Sequence, residues 1–291
     1  MQSIFEGLWI PIVTPFREDR VDHPALERLA QHLAGQGIAG FVAGATTGEG
    51  VLLRAGEQEA VFASLRRAAP ALPIVLGVTA FSTDAATAQA RALAALRPEG
   101  LLVTPPAYVL PAQAGIRRHF EVVAEAADLP LLVYNIPYRT GVTVELETLQ
   151  ALATDPRIAG IKECGGSPER LMRLVHETPL RVLSGDDSQN FVALCLGAHG
   201  SIAASAHIRP DLHVRMHALL RAGQVDAARQ IAVSLQAMIA ALFAEPNPAP
   251  LKAWLEGEGW CAADLRLPFT AATAPLRETL ARHGRVLQAL A

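Results

Sequence analysis

Of the 25 basic residues in the chain, only Lys162 and Lys252 are lysines; every other one is arginine. Lys162 sits in the short stretch GIKECGG, residues 160–166. Arginine matches lysine as a charge and surpasses it as a bidentate donor, but it stays protonated and cannot act as a nucleophilic amine. A neutral lysine amine can attack a ketone and form a Schiff base. The resulting iminium is an electron sink, so a proton leaves the adjacent carbon readily. A free lysine, with a pKa of about 10.4, is almost wholly protonated at pH 7, and burial in apolar surroundings favours the neutral form. A lysine paired with a carboxylate at a rim is the plainer alternative; the scarcity of lysine favours the amine. Lys252, in NPAPLKAW, is expected to be a solvated or intersubunit charge at the start of a helix.

Three further segments carry groups suited to the same chemistry. GATTGEG (44–50) is a glycine-rich turn that offers backbone N–H groups and the hydroxyls of Thr46 and Thr47 to a small carboxylate. No lysine follows in P-loop spacing, which argues against a nucleotide phosphate. YNIPYRTG (134–141) supplies Tyr134, a phenol that can relay protons, and Arg139, a guanidinium that can clamp a carboxylate. TPPAY (104–108) is a stiff turn ending in Tyr108. Taken singly, each segment also reads as an ordinary turn, a half-buried core tyrosine or a surface arginine. Asp186 and Asp187 read as caps of the next helix. His213 and His217 lie four residues apart with His207 close by, but no HExxH and no carboxylate set completes a metal site, and none is expected. No GxSxG elbow supports serine catalysis.

These groups need a scaffold that brings distant segments to one place. Runs apolar on both faces read as buried parallel strands at 8–13, 39–44, 73–78, 100–104, 131–135, 158–163, 180–185 and 201–204. Helical patterns lie between them at 24–36, 56–69, 83–97, 112–127, 144–153, 168–177, 187–197 and 209–221. Asp22 before Pro24, and Ser167 before Pro168, are helix-start signals. Eight such pairs predict a (β/α)8 TIM barrel; a doubly wound sheet also alternates but lacks a GxGxxG after the first strand. Such a barrel gathers its chemistry at the C-terminal ends of its strands, where all the segments above fall. In 158–163, alternation puts Lys162 on one face with Gly160, whose missing side chain is expected to leave room for the amine. Residues 1–222 are thus expected to form the barrel. Residues 223–291, with helical patterns at 224–243, 249–258 and 273–284, are expected to form a C-terminal helical extension packed on it.

Composition narrows the field of partners. Apolar residues make up 51% of the 291, and the formal net charge is −3 with no basic block, so neither nucleic acid nor an anionic membrane surface is an expected partner. No apolar run is expected to reach a membrane span of roughly 18–20 residues. Cys164, Cys195 and Cys261 form no CxxC pair, which fits a reducing cytoplasm. The start MQSIFEGLWIPIV lacks the pattern of a signal peptide.

Taken in order, GATTGE (44–49), VTPPAY (103–108), VYNIPYRTG (133–141), GIKE (160–163), LSGDDS (183–188) and FAEPNPAPLK (243–252) resemble the dihydrodipicolinate synthase / N-acetylneuraminate lyase family of Schiff-base-forming barrels. The resemblance runs from TPF (14–16) to LRLPF (265–269). It implies that Lys162 forms a Schiff base with pyruvate, without a metal or other cofactor. It implies that Thr46 and Thr47 hold the pyruvate carboxylate, with Gly48 of the same turn also binding substrate. Tyr134 would be the general acid/base. Thr46, Tyr134 and Tyr108 would form a proton relay, with Tyr108 reaching in from a neighbouring subunit of a homotetramer built as a dimer of dimers. The backbone carbonyl of Ile202 would face the site. Arg139 resembles the synthase branch, where it binds the carboxylate of L-aspartate 4-semialdehyde. Gly50, Ala55, Gln58, Phe81 and Ala107 depart from that branch at positions that would line a lysine inhibitor pocket, so weak or absent lysine feedback is expected. The same departures, and Tyr138 beside Arg139, leave open a related pyruvate aldolase such as a 4-hydroxy-2-oxoglutarate aldolase, and a non-catalytic 2-oxo-acid sensor.

Overall fold

The computed structural model describes residues 5–289; the first four residues of the N-terminal stretch and the last two of the chain lie outside it. The barrel strands are β1 (Gly7–Pro11), β2 (Gly40–Ala43), β3 (Ile74–Val78), β4 (Gly100–Val103), β5 (Leu131–Asn135), β6 (Ile158–Glu163), β7 (Arg181–Ser184) and β8 (Gly200–Ile202). They close into a barrel in the order β1-β8-β7-β6-β5-β4-β3-β2, as the alternation of strands and helices predicts. Every residue of β1 to β5 is buried. That is why these segments read as continuous apolar runs and do not alternate.

The chain divides into two compact units. One holds the residues up to Gly7 and Pro73–Ile202, hence β3 to β8 and the helices between them. Within it β5 and β6 pair in parallel with an irregularity: Leu131 faces Ile158, but Leu132 faces Gly160, so β6 carries one extra residue. Beyond that bulge Val133 pairs with Ile161, Tyr134 with Lys162 and Asn135 with Glu163. Two helices here start on side-chain caps: the Ala85 N–H donates to Ser82 Oγ at 3.2 Å and the Arg170 N–H to Ser167 Oγ at 3.2 Å. Each cap satisfies one of the amides that a helix start leaves unpaired. The stretch after β7 begins as a single 3-10 turn, Asp187–Gln189, before the helix Asn190–Cys195. Asp186 caps that turn by accepting from the Ser188 N–H, as the sequence suggests.

The other unit holds Leu8–Leu72 and the chain from Ala203 on. Its first helix, His23–Ala34, is capped by Asp22, which accepts from the Ala25 N–H at 3.0 Å. Its C-terminal helices are Val225–Leu242, Ala249–Gly257 and Ala274–Gln288; the last runs beyond the expected 284. Val225–Leu242 is long and apolar enough, by length and composition, to cross a membrane, contrary to the expectation that no segment is. It packs against Pro210–Arg221 and Ala274–Gln288, and 39% of it is buried.

Candidate active site

Lys162 stands near the C-terminal end of β6 and is 5% exposed; Tyr134 stands near the end of β5 and is 4% exposed. They are register partners on neighbouring strands. Lys162 Nζ donates to Tyr134 Oη at 3.2 Å and lies 4.3 Å from the centre of the phenol ring. The geometry therefore holds an amine and a proton-carrying hydroxyl within one hydrogen bond of each other, in a largely dry setting. That is the arrangement expected of a nucleophilic amine served by an adjacent acid/base group.

Room for the amine comes from Gly185 and not from Gly160. A methyl group on Gly185 would lie 2.6 Å from Lys162 Cε and collide with Cys164 Sγ, so the turn after β7 must lack a side chain there. A side chain on Gly160 would instead meet the Arg181 backbone and, at 2.8 Å, Leu132 Cδ2. Gly160 thus serves close strand packing, and the expectation that it opens space above itself is corrected. Cys164 is buried, and burial pushes its thiol up to about 12, so it stays protonated at neutral pH.

Behind this pair, on the opposite face of the same two strands, lies a second polar pair that alternation alone did not flag. Asn135 Nδ2 donates to Glu163 Oε1 at 2.7 Å, and Arg170 Nη2 to Glu163 Oε2 at 3.3 Å. Burial raises the Glu163 carboxyl above its usual range, with Arg170 and Asn135 opposing the shift. The signal in the sequence is two polar residues, at 135 and 163, on outward positions of otherwise apolar strands.

Three other expected residues of this unit occupy distinct settings. Ile202 ends β8 and is 1% exposed. Arg139 lies on the short helix Pro137–Thr140, exposed, with its guanidinium in no ion pair among the described residues. Tyr108 is 86% exposed with φ at +72°, followed by exposed Val109 and Leu110. Within the single chain neither Tyr108 nor Arg139 has a hydrogen bond to Lys162 or Tyr134.

In the other unit, the turn after β2 carries Thr46, Thr47 and Gly48. Thr46 is half-buried and Thr47 is 4% exposed. Thr14 Oγ1 donates to the Gly48 carbonyl at 2.7 Å, and Asn247 Nδ2 donates to Thr47 Oγ1 at 3.0 Å. Glu49 closes the turn in the left-handed region, at φ +52°. Its carboxylate is 1% exposed and takes the Lys252 ammonium on Oε1 and the Arg266 N–H on Oε2, the latter at 3.1 Å. Lys252 is wholly buried, donates to the Asp264 carbonyl at 2.8 Å and lies 4.3 Å from the centre of the Phe16 ring. Burial pulls its ammonium below the usual range while Glu49 opposes the shift. The expectation of a solvated or intersubunit charge at 252 is therefore corrected: the second lysine is an internal strut of the threonine turn. Asn247 and Lys252 both come from EPNPAPLK, a segment whose contact with the threonine turn sequence spacing does not reveal.

His207, His213 and His217 of this unit are buried. His207 accepts the Val13 N–H on Nε2 at 3.3 Å and donates from Nδ1 to the Ala204 carbonyl at 2.8 Å. Burial pushes His207 and His213 down to about 4 and His217 to about 3. Among the described residues no group of three histidines, cysteines or carboxylates could hold a metal ion.

Comparison with known proteins gives matches along almost the whole chain. The profile of the Dihydrodipicolinate synthetase family matches residues 4–285. A 4-hydroxy-tetrahydrodipicolinate synthase of Methanosarcina barkeri is 36% identical over 280 residues, covering 95% of this chain and 94% of that protein. Among solved structures, the lysine-bound enzyme of Cyanidioschyzon merolae superimposes with a TM-score of 0.95 at 32% identity, covering 99% of this chain and 100% of that one. The chloride-inhibited dihydrodipicolinate synthase of Acinetobacter baumannii, complexed with pyruvate, gives 0.94 at 33% identity over 98% and 99%. A chain matched over almost its whole length, by sequence and by structure, belongs to the Dihydrodipicolinate synthetase family.

Proposed function

We propose that this chain is a 4-hydroxy-tetrahydrodipicolinate synthase, a class I pyruvate lyase that condenses pyruvate with L-aspartate 4-semialdehyde. The observation that carries the reading is the buried Lys162 amine bonded to the Tyr134 phenol on paired strand ends, in a member of this family. The neutral amine attacks the pyruvate ketone, and Tyr134 supplies the proton with which the oxygen leaves as water. The iminium then loses a methyl proton to give the enamine, whose carbon attacks the aldehyde. The amino group of the second substrate displaces Lys162 and closes the ring. The iminium is the electron sink, so the reaction calls for no metal or other cofactor.

Thr46, Thr47 and Gly48 bind the pyruvate carboxylate, and Thr46 also passes protons between Tyr134 and Tyr108. The Ile202 carbonyl faces the substrates, and the unpaired Arg139 takes the carboxylate of the aldehyde substrate. The exposed Tyr108 suits a phenol delivered to a neighbouring copy, in a homotetramer arranged as a dimer of dimers. In this reading residues 1–222 are the catalytic barrel. Residues 223–291 are the extension that braces the threonine turn through Asn247 and Lys252. The pathway is lysine and diaminopimelate biosynthesis in the cytoplasm.

Incubation with pyruvate, borohydride reduction and peptide mass analysis tests the mechanism. The adduct is expected on Lys162, and a reduced adduct elsewhere, or none, removes it. Turnover of pyruvate with aspartate semialdehyde, set against retro-aldol cleavage of 4-hydroxy-2-oxoglutarate, tests the substrate. Gly50, Ala55, Gln58, Phe81 and Ala107 replace the groups that would hold a lysine inhibitor, so millimolar L-lysine is expected to leave the rate unchanged. Half-inhibition below that concentration contradicts this.

A further inference from the structure

The chemistry of the site depends on Tyr134 standing opposite Lys162, and the register that puts it there is not the regular one. Leu131 faces Ile158; continuing without interruption would set Leu132 against Ala159 and Tyr134 against Ile161. The extra residue in β6 shifts every later pair by one and brings Lys162 opposite Tyr134. A one-residue slip in a strand turns its side chains to the other face, so the shifted register decides which group of β6 meets Tyr134. Something directional has to hold the shifted register.

We propose that Asn135, Glu163 and Arg170 form a positioning lock that holds this bulged register and so sets the Lys162–Tyr134 geometry. The inference rests on the Schiff-base reading above. Asn135 and Glu163 are the next register pair after Tyr134 and Lys162, on the opposite face, 1% and 3% exposed. Their 2.7 Å hydrogen bond joins the two strands one residue beyond the reacting pair and can form only in the shifted register. The lock then spreads to the flanking segments. Asn135 Oδ1 accepts the Val144 N–H at 3.0 Å, and Arg170 Nη2 donates to the Val144 carbonyl at 2.7 Å as well as to Glu163. Val144 ends the segment that begins with Asn135 and carries Arg139. The same three side chains therefore fix the register and the loop that follows it. The Gly185 N–H donates to the Glu163 backbone carbonyl at 2.8 Å, tying in the turn that leaves room for Lys162. A buried carboxylate is a poor choice for stability alone, since apolar packing commonly does as well. Hydrogen-bond direction is what apolar packing lacks.

The polarity of the lock can be reversed without losing a bond, and this gives its test. In Asn135→Asp two carboxylates face each other, and in Glu163→Gln one bond to Arg170 or Asn135 is lost. In the double variant the new carboxylate at 135 accepts the Val144 N–H and the new amide N–H at 163, whose carbonyl accepts Arg170. For all four proteins one measures kcat, KM for pyruvate and the rate of borohydride-trappable adduct formation at Lys162. Measurements are made well below each melting point and normalised to the folded fraction. Each single variant is expected to lose about tenfold or more in kcat and in adduct rate, with a much smaller change in KM; misplacement of reacting groups by about 1 Å can cost about 100-fold. The double variant is expected to recover most of both. Wild-type rates in the single variants, or a double variant no faster than the slower single, overturn the lock. If a single variant does not fold, the double variant against wild type decides. Failure of the wild type itself to trap pyruvate at Lys162 overturns the Schiff-base reading and the lock with it. Trapping in the wild type with unaffected single variants overturns the lock alone.

Discussion

At the scale of single residues, the site turns on what Lys162 can do that arginine cannot. Lys162→Arg retains a cation under the same strands but no amine able to form an iminium. It is expected to give no pyruvate adduct after borohydride and no measurable turnover, with an unchanged circular dichroism spectrum; a trapped adduct at 162 or elsewhere would contradict this. Gly185 makes the complementary case by subtraction. Gly185→Ala places a methyl 2.6 Å from Lys162 Cε and against Cys164 Sγ, both of them buried. Overpacking of this kind costs about 1–3 kcal/mol in ordinary cores. Here it also displaces the amine, so adduct formation is expected to slow more than about tenfold, in line with the sensitivity of reacting geometry. An adduct rate equal to wild type would show that the turn yields instead.

At the scale of elements, the turn after β2 is held from behind by an internal ion pair. Glu49 is left-handed, almost fully buried and bonded to Lys252 and to the Arg266 backbone. Breaking a buried pair on one side leaves an unpaired charge and typically costs about 3–5 kcal/mol. Lys252→Met is expected to lower stability in urea by that order, and adding Glu49→Gln is expected to restore part of it. Equal midpoints for wild type and Lys252→Met would mean that the carboxylate finds another partner. The sequence presents Lys252 as the first turn of a helix beside a proline-rich segment, which is a surface pattern. Its burial follows from Glu49, about 200 residues away in the chain, and no local spacing encodes that partnership.

At the scale of the whole molecule, buried histidines set an acid limit. Burial holds His119, His207 and His213 at about 4 and His217 at about 3, while in an unfolded chain each titrates near 6.5. Between those values the unfolded state binds more protons. Their contribution to stability is therefore complete above about pH 6.5 and is lost as pH falls toward 4, at up to ~1.4 kcal/mol per pH unit for each histidine. Glu163, raised by burial, acts in the opposite sense above its usual range, as a single group against four. Urea midpoints are expected to fall steadily from pH 7 to pH 5, before most carboxylates titrate. A flat profile over that interval would show that these rings are hydrated in solution.

The sequence by itself determined the alternation of strands and helices, the closed barrel and the placing of Lys162 and Tyr134 near the ends of two strands. Apolar runs and capping residues are local, and lysine stands out in a chain that writes its positive charges as arginine. Only the tertiary structure decided which glycine makes room for the amine, where the second lysine goes, and that a one-residue bulge sets Tyr134 against Lys162. Each of these depends on a partner far along the chain. Strand register is fixed by pairing across the sheet, and a strand carries the same residues in either register.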